Sequence, residues 1–156
     1  MKSMDKIFFA NYYSFLCEAL EDNTVILPIP LSLYKKGYGK ISVLKQFELE
    51  HDLKSWDLMK EILFEKYPSY SETLADFEKS NHFMICNMMV APWEVWDDYL
   101  TWFFDIIFEL VKRLPPFKDL YQNRMPAFLA ERLMNIYFIK NEHIKRTFLP
   151  ISMLIE

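Results

Sequence analysis

Two glycines stand in the whole 156-residue chain, Gly37 and Gly39, and both lie in one basic loop, Lys35-Lys36-Gly37-Tyr38-Gly39-Lys40. A phosphate cradle that opens a helix needs glycine where backbone closes on the ligand, so the dinucleotide and nucleotide-triphosphatase types of site are excluded. Cysteine is as scarce. Cys17 and Cys86 are far apart and each sits among apolar neighbours, as small buried hydrophobes of a reducing compartment do. Metal motifs are missing too: His51, His82 and His143 make no i, i+4 pair, no Asp-x-Asp occurs, and the adjacent Asp97 and Asp98 point about 100° apart on a helix. The cluster Glu48, Glu50 and Asp52 reads as a solvated acidic edge. No apolar run is long enough to serve as a signal peptide or a membrane span, since Ile7-Phe8-Phe9-Ala10 is followed at once by Asn11. A cytoplasmic protein is expected, with peripheral attachment at the inner membrane surface left open. An excess of one charge is also lacking: 18 basic and 22 acidic residues are interspersed for a net charge of −4, which argues against nucleic acid as a partner.

What is present is apolar bulk. Hydrophobic residues make up 52% of the chain, and fourteen Phe, nine Tyr and four Trp supply rigid packing area or stacking surface for a ring-shaped ligand. That suits one domain over residues 1–156, burying roughly 70% of its unfolded surface. Helical and extended segments alternate, so the expected class is α/β (α+β), helix-rich with a small sheet. The spacing predicts a first helix over 7–20, a strand at Thr24–Leu27 ended by Pro28 and Pro30, and a flexible loop, a conceivable lid, over 35–40. Ser42 is placed to cap a helix through Glu50, Ser55 one over 56–66, and Ser69 with Glu72 a capping box for a helix through Lys79. His82 to Ala91 is apolar on both alternating faces and reads as a strand covered on both sides. A long helix follows from Pro92 to about Leu114, with Trp93, Trp96, Tyr99, Phe103, Phe104, Ile107 and Leu110 as its core face and Asp97 partly buried. A last strand is expected over Phe148–Ile155.

The most informative segment is 121–137. At about 100° per residue, Arg124, Phe128, Glu131 and Asn135 fall within one arc of roughly 60°, with Arg132 at its edge, while Leu129, Leu133, Met134, Ile136, Tyr137 and Phe138 fill the rest. A helix this apolar is buried, so its polar stripe faces water, a polar network or a cleft. Glu131 and an arginine form either part of a site or an ion pair that fastens the helix to the core. His51-Asp52, between two expected helices, either binds a hydroxylated ligand or caps the second helix. Asn87, the one interior polar residue of the expected 82–91 strand, either ties down backbone or faces a ligand.

Several runs together resemble a known family. Lys-Tyr-Pro-Ser-Tyr (66–70), Cys-Asn-Met-Met-Val (86–90), Trp-Phe-Phe-Asp-Ile-Ile-Phe-Glu-Leu (102–110), Tyr121-x-x-Arg124 and Phe128-Leu-Ala-Glu-Arg-Leu-Met-Asn-Ile-Tyr137 look like the carboxy-terminal half of bacterial capsular and exopolysaccharide glycosyltransferases, long catalogued as a domain of unknown function. The resemblance covers roughly residues 25–155. It implies a GT-A-like scaffold and transfer of a sugar from a nucleotide-sugar donor to a growing surface glycan. Glu131 and Arg132 become the implied catalytic pair, with Arg124 or Arg132 neutralising diphosphate, and His51, Asp52, Asn87, Tyr121 and Asn135 join Arg124 as substrate-binding candidates. The family's amino-terminal half has no counterpart in residues 1–24, so a half-enzyme is expected, inactive alone. A divalent cation belongs to the complete enzyme only. The alternative is a non-catalytic module that holds a glycan or docks on a separate transferase subunit, or on a second copy, through an exposed apolar face.

Overall fold

The computed structural model describes residues 13–150. The beginning of the expected first helix and most of the expected last strand lie outside them. Residues 13–21 form helix α1. Its end is a Schellman turn: Thr24 N–H donates to the Ala19 carbonyl at 2.8 Å, Asn23 N–H to that of Leu20 at 3.1 Å, and Asn23 takes the left-handed position at φ 52°.

Strand β1 (Val25–Pro28) follows, and all four of its residues are buried. Such a continuous apolar strand must be covered on both faces and paired on both edges. One edge pairs in parallel with the last strand, β6 (Arg146–Leu149), in register from Val25 opposite Arg146 to Pro28 opposite Leu149. On the other edge Ile26 exchanges two hydrogen bonds with Val90, at 2.8 and 3.1 Å. Between β1 and β6 come β2 (Leu31–Ser32), β3 (Tyr34–Lys35), β4 (Gly39–Lys40), α2 (Val43–Glu50), α3 (Leu53–Lys66), α4 (Ser71–Lys79), β5 (His82–Phe83), α5 (Trp93–Arg113) and α6 (Met125–Lys140), with 3-10 turns at Pro68–Tyr70 and Gln122–Arg124. The helices meet in one core that includes Phe47, Trp56, Leu74, Trp102, Leu110, Leu133 and Phe138.

Ser42 caps α2 as expected, accepting from Lys45 N–H at 3.1 Å. Five local expectations are corrected. The 35–40 loop is a tight β3–β4 hairpin, turned by Gly37 at φ 89° and Gly39 at φ 79°. Helix α3 starts earlier than Ser55, because Asp52 is its cap and accepts from Lys54 N–H at 3.3 Å, while Ser55 is buried inside the helix with an unpartnered hydroxyl. The helix through Lys79 has no capping box, since the turn at Pro68–Tyr70 feeds α4 directly. Along α5, Trp93 is 71% exposed, Phe104 41%, Phe108 59% and Val111 52%, so one apolar stripe of this helix faces outward, and Asp97 is exposed beside it.

The fifth correction concerns 82–91, which is not a continuous strand. Its two ends do pair antiparallel, Phe83 with Leu31 and Val90 with Ile26. Between those pairings one side advances five residues, Ile26 to Leu31, and the other seven, Phe83 to Val90, so two extra residues are looped out. Cys86 turns the bulge at φ 69°, a costly conformation for a side chain other than glycine, and Asn87 is exposed at its tip rather than interior. Leaving the ladder deprives Met84 of backbone partners. Asn135, from α6, replaces them: its Oδ1 accepts from Met84 N–H at 2.8 Å and its Nδ2 donates to the Met84 carbonyl at 3.0 Å.

Asn135→Ala leaves both groups unpaired in a buried place and is expected to cost about 2–4 kcal/mol in denaturant unfolding. Asn87→Ala, at the open tip, is expected to stay within about 0.5 kcal/mol of the parent.

Candidate functional site

Helix α6 is buried almost all round, from Leu129 to Phe138 with only Glu131 half-buried. Only its first turns and its last two residues, Ile139 and Lys140, reach solvent. At the first turns the side chains of Arg124, Phe128 and Glu131 meet the end of α2 and the turn at 122–124. His51, which closes α2, stacks on Phe128 with ring centres 4.2 Å apart and lies parallel to Tyr121 at 6.1 Å. Tyr121 and Phe128 are in contact at 5.1 Å, and the Arg124 guanidinium covers the Phe128 ring at 5.4 Å. Gln122 clamps the turn onto α2: its amide donates to the Glu50 carbonyl at 3.1 Å and its oxygen lies 3.4 Å from His51 Nδ1. The outcome is an aromatic platform of Phe128, His51 and Tyr121, edged by one exposed guanidinium and one half-buried carboxyl.

Beneath it lies Arg132, 3% exposed. Its Nη1 donates to the Phe128 carbonyl at 2.8 Å and its Nη2 to Gln46 Oε1 at 2.8 Å. The guanidinium also covers the rings of Phe83 at 4.6 Å and Phe47 at 5.5 Å. Its contact with Glu131, 3.3 Å, joins neighbours on one helix. An ion pair within α6 cannot fasten α6 to anything, so the anchors to the core are Arg132 to Gln46 and Asn135 to Met84. Burial pushes Glu131 up from the ordinary carboxylate range despite the pull of Arg132 and Arg124, and pushes Arg132 down despite Glu131. Burial thus opposes the charged form of each partner more than the other partner supports it, which is the opposite of a stabilising pair. Burial, then Arg132, also lowers the His51 pKa against the Gln122 hydrogen bond and Glu50, so its imidazole is neutral at pH 7.

The structure therefore gathers Arg124, Tyr121, His51, Glu131 and Arg132. Asp52 is next in sequence to His51, but its carboxylate caps α3. Asn135 serves the Met84 backbone, and Asn87 stands on the bulge that Asn135 holds. Because Arg132 touches Phe83, whose partner Leu31 comes just after β1, the cluster lies beyond the carboxyl end of β1, where open α/β sheets place ligands. Gln46 and Gln122 were not read from the sequence. The only signal for Gln46 is a polar side chain on a helix between buried residues, and its partner is 86 positions away. Among the described residues, no group of three or more His, Cys, Asp or Glu could hold a metal ion.

A family model described as a domain of unknown function, DUF4422, matches residues 3–142. The chain belongs to this family. The match begins well before residue 25, where the resemblance in the sequence starts. No curated protein matches the chain. A solved structure described as the apo form of WbbM, a bifunctional glycosyltransferase, superposes with a TM-score of 0.77 at 24% identity over 85% of this chain. The chain spans 24% of that protein's length, and at this identity the likeness is one of fold. Among the described residues no helix of this DUF4422 chain is long and apolar enough to cross a membrane.

Glu131→Gln is expected to change stability by less than about 1 kcal/mol, since the carboxyl has no partner outside its own helix. The sign with pH is fixed by the raised folded pKa. The carboxyl favours the fold most below its unfolded pKa, and that advantage is lost as pH rises through the folded value. The variant should gain on the parent at neutral pH and not in acid, as read by unfolding at both. Arg132→Met, which frees Gln46, is expected to cost about 2–4 kcal/mol.

Proposed function

We propose that this chain is a glycosyltransferase unit of bacterial surface polysaccharide biosynthesis. It supplies the diphosphate-facing and sugar-facing wall of a site that transfers a sugar from a nucleotide-sugar donor to a glycan acceptor. The observation that carries this reading is the solvent-facing cluster of Arg124, Glu131 and the Phe128–His51–Tyr121 platform beyond the carboxyl end of β1, in a fold shared with part of a glycosyltransferase. In such a transfer the acceptor oxygen bonds to the anomeric carbon as the bond to the nucleoside diphosphate breaks. Negative charge builds on the leaving diphosphate, and an exposed guanidinium neutralises it through paired hydrogen bonds. Arg124 takes that role, Glu131 accepts from a sugar hydroxyl, and the platform packs on a ring. Buried Arg132 orients Glu131 and adds positive potential beneath the site. Asn87 contacts the sugar from the bulge. The nucleoside is held by residues outside this chain, which has no glycine cradle, and any divalent cation accompanies that part.

A panel of uridine-diphosphate sugars, titrated onto the purified chain with and without manganese, tests this. Binding is expected at a Kd of about 1 mM or weaker, since most of the donor is unrecognised, and Arg124→Ala is expected to abolish it. Binding unaffected by loss of Arg124 would overturn the assignment.

One observation favours a second reading, a module that docks on another copy of itself. The outward stripe of α5 runs from Trp93 to Val111 beside an acidic amino-terminal half, with Glu94, Asp97 and Asp98, and a carboxyl end carrying Lys112 and Arg113. Two such helices packed antiparallel would bury the stripes and bring opposite charges together. Sedimentation velocity decides: a concentration-dependent dimer that Phe108→Glu dissociates supports docking, and a monomer at every concentration counts against it.

A further inference from the structure

The β3–β4 hairpin, Tyr34 to Lys40, belongs to none of the machinery assigned above. In a protein with a net charge of −4 it gathers three lysines and two exposed tyrosines into seven positions. We propose that this hairpin binds an acidic saccharide, a sugar unit bearing a carboxylate or a phosphate, and so extends the acceptor side of the transfer site.

The register of the hairpin separates two faces. Tyr34 stands opposite Lys40 and Lys35 opposite Gly39, so each pair shares a face and the two pairs look in opposite directions. On the inner face Ile41 is buried and donates its N–H to the Leu33 carbonyl at 3.2 Å, while the Lys35 ammonium reaches Glu50 at 3.1 Å. That face anchors the hairpin to α2 and the core. On the outer face Tyr34 is 72% exposed beside an exposed Lys40, and Tyr38, 61% exposed, follows at the turn with an exposed Lys36. Among the described residues Lys36 and Lys40 make no ion pair, and Glu50, the carboxylate that meets the hairpin, is taken by Lys35 and the Gln46 amide. Two cations beside two aromatic faces are thus left to solvent. The backbone between them is unobstructed, since a side-chain carbon at Gly37 or Gly39 would meet nothing within 4 Å.

A phenol ring packs on the C–H face of a sugar, and an ammonium group at its edge holds a carboxylate or phosphate by charge-assisted hydrogen bonds. Insertion into a lipid surface needs a broad apolar face, and residues 34–40 offer no exposed aliphatic side chain or tryptophan. Position makes the saccharide part of the acceptor. Glu50 directly precedes His51 of the aromatic platform, and Gln122 holds its carbonyl at 3.1 Å, so a glycan seated on the platform has the hairpin within a few sugar units. To that extent the inference rests on the transfer reading.

Titration of the purified chain with oligogalacturonate, with a malto-oligosaccharide of equal length and with phosphatidylserine vesicles is the test. Oligogalacturonate is expected to bind, more weakly as salt rises, and the neutral oligomer at least about tenfold less tightly. Lys36→Gln with Lys40→Gln, both on the surface, is expected to remove that difference, and Tyr38→Ala to weaken both sugars. No binding of oligogalacturonate, equal binding of the neutral oligomer, affinity unchanged in the lysine variant, or binding to vesicles in place of the saccharide would overturn the proposal. Uridine-diphosphate sugar binding is expected to be the same in the lysine variant as in the parent, so failure here and failure of the Arg124 assignment are read from different ligands.

Discussion

Burial of α6 on nearly every side is the constraint from which most of the structure follows. A helix so enclosed carries few polar groups, and each must find a partner inside the protein or cost its full desolvation. Arg132 and Asn135 are the two that lie deepest, and their solutions organise what surrounds them. Arg132 reaches across to Gln46 and lies against Phe47 and Phe83, which ties α6 to α2 and to β5. Asn135 completes the backbone at Met84, which lets the 82–90 segment leave its ladder and return to it two residues longer. The bulge is thus a property of α6 as much as of its own sequence. Without an amide at 135, the cheaper arrangement for Met84 is the regular strand that its apolar neighbours suggest.

The same burial decides where chemistry can happen. Apart from its last two residues, only the first turns of α6 reach water, so Arg124, Phe128 and Glu131 are the part of the polar stripe open to a ligand, and Asn135 is removed from it. The two arginines divide by burial. Arg124, exposed, can move to meet an anion. Arg132, enclosed, cannot, but its charge lies beneath Glu131 and His51 and bears on both. A half-buried carboxyl that resists ionisation and an imidazole that resists protonation are what one low-dielectric pocket does to an acid and a base beside the same cation.

How far the sequence foretold this depends on the range of the interactions involved. The burial of α6, the cap at Ser42, the parallel pair's first strand and the extent of α5 are local or periodic properties, and their residues announce them. The fold class follows from the alternation of such segments, and the solved fold with TM-score 0.77 agrees with it. The bulge does not announce itself, because Met84, Cys86 and Met88 satisfy a strand pattern equally well and the amide that breaks it is 51 residues away. The cap of α3 was a choice between Asp52 and Ser55, two residues that differ little in capping strength. Burial of Ser55 settled it, and burial is a tertiary property. On α5 the error has another source: helical periodicity locates apolar faces but does not say whether anything covers them, so Trp93 and Phe104 looked like core.

The two ends of the β1–β6 pair differ in charge. At the carboxyl end an exposed arginine sits above a buried one, beside a Glu131 whose carboxyl burial pushes up from the ordinary range, so the two guanidinium groups favour an anion. At the amino end Glu94 and Asp98 line an open cleft together with His143 and with Lys145, which is paired with Asp22. The acids there also complement the first turns of α5, whose free N–H groups favour negative charge, so part of their presence is owed to the helix. That helix effect explains why carboxylates are tolerated at the start of α5.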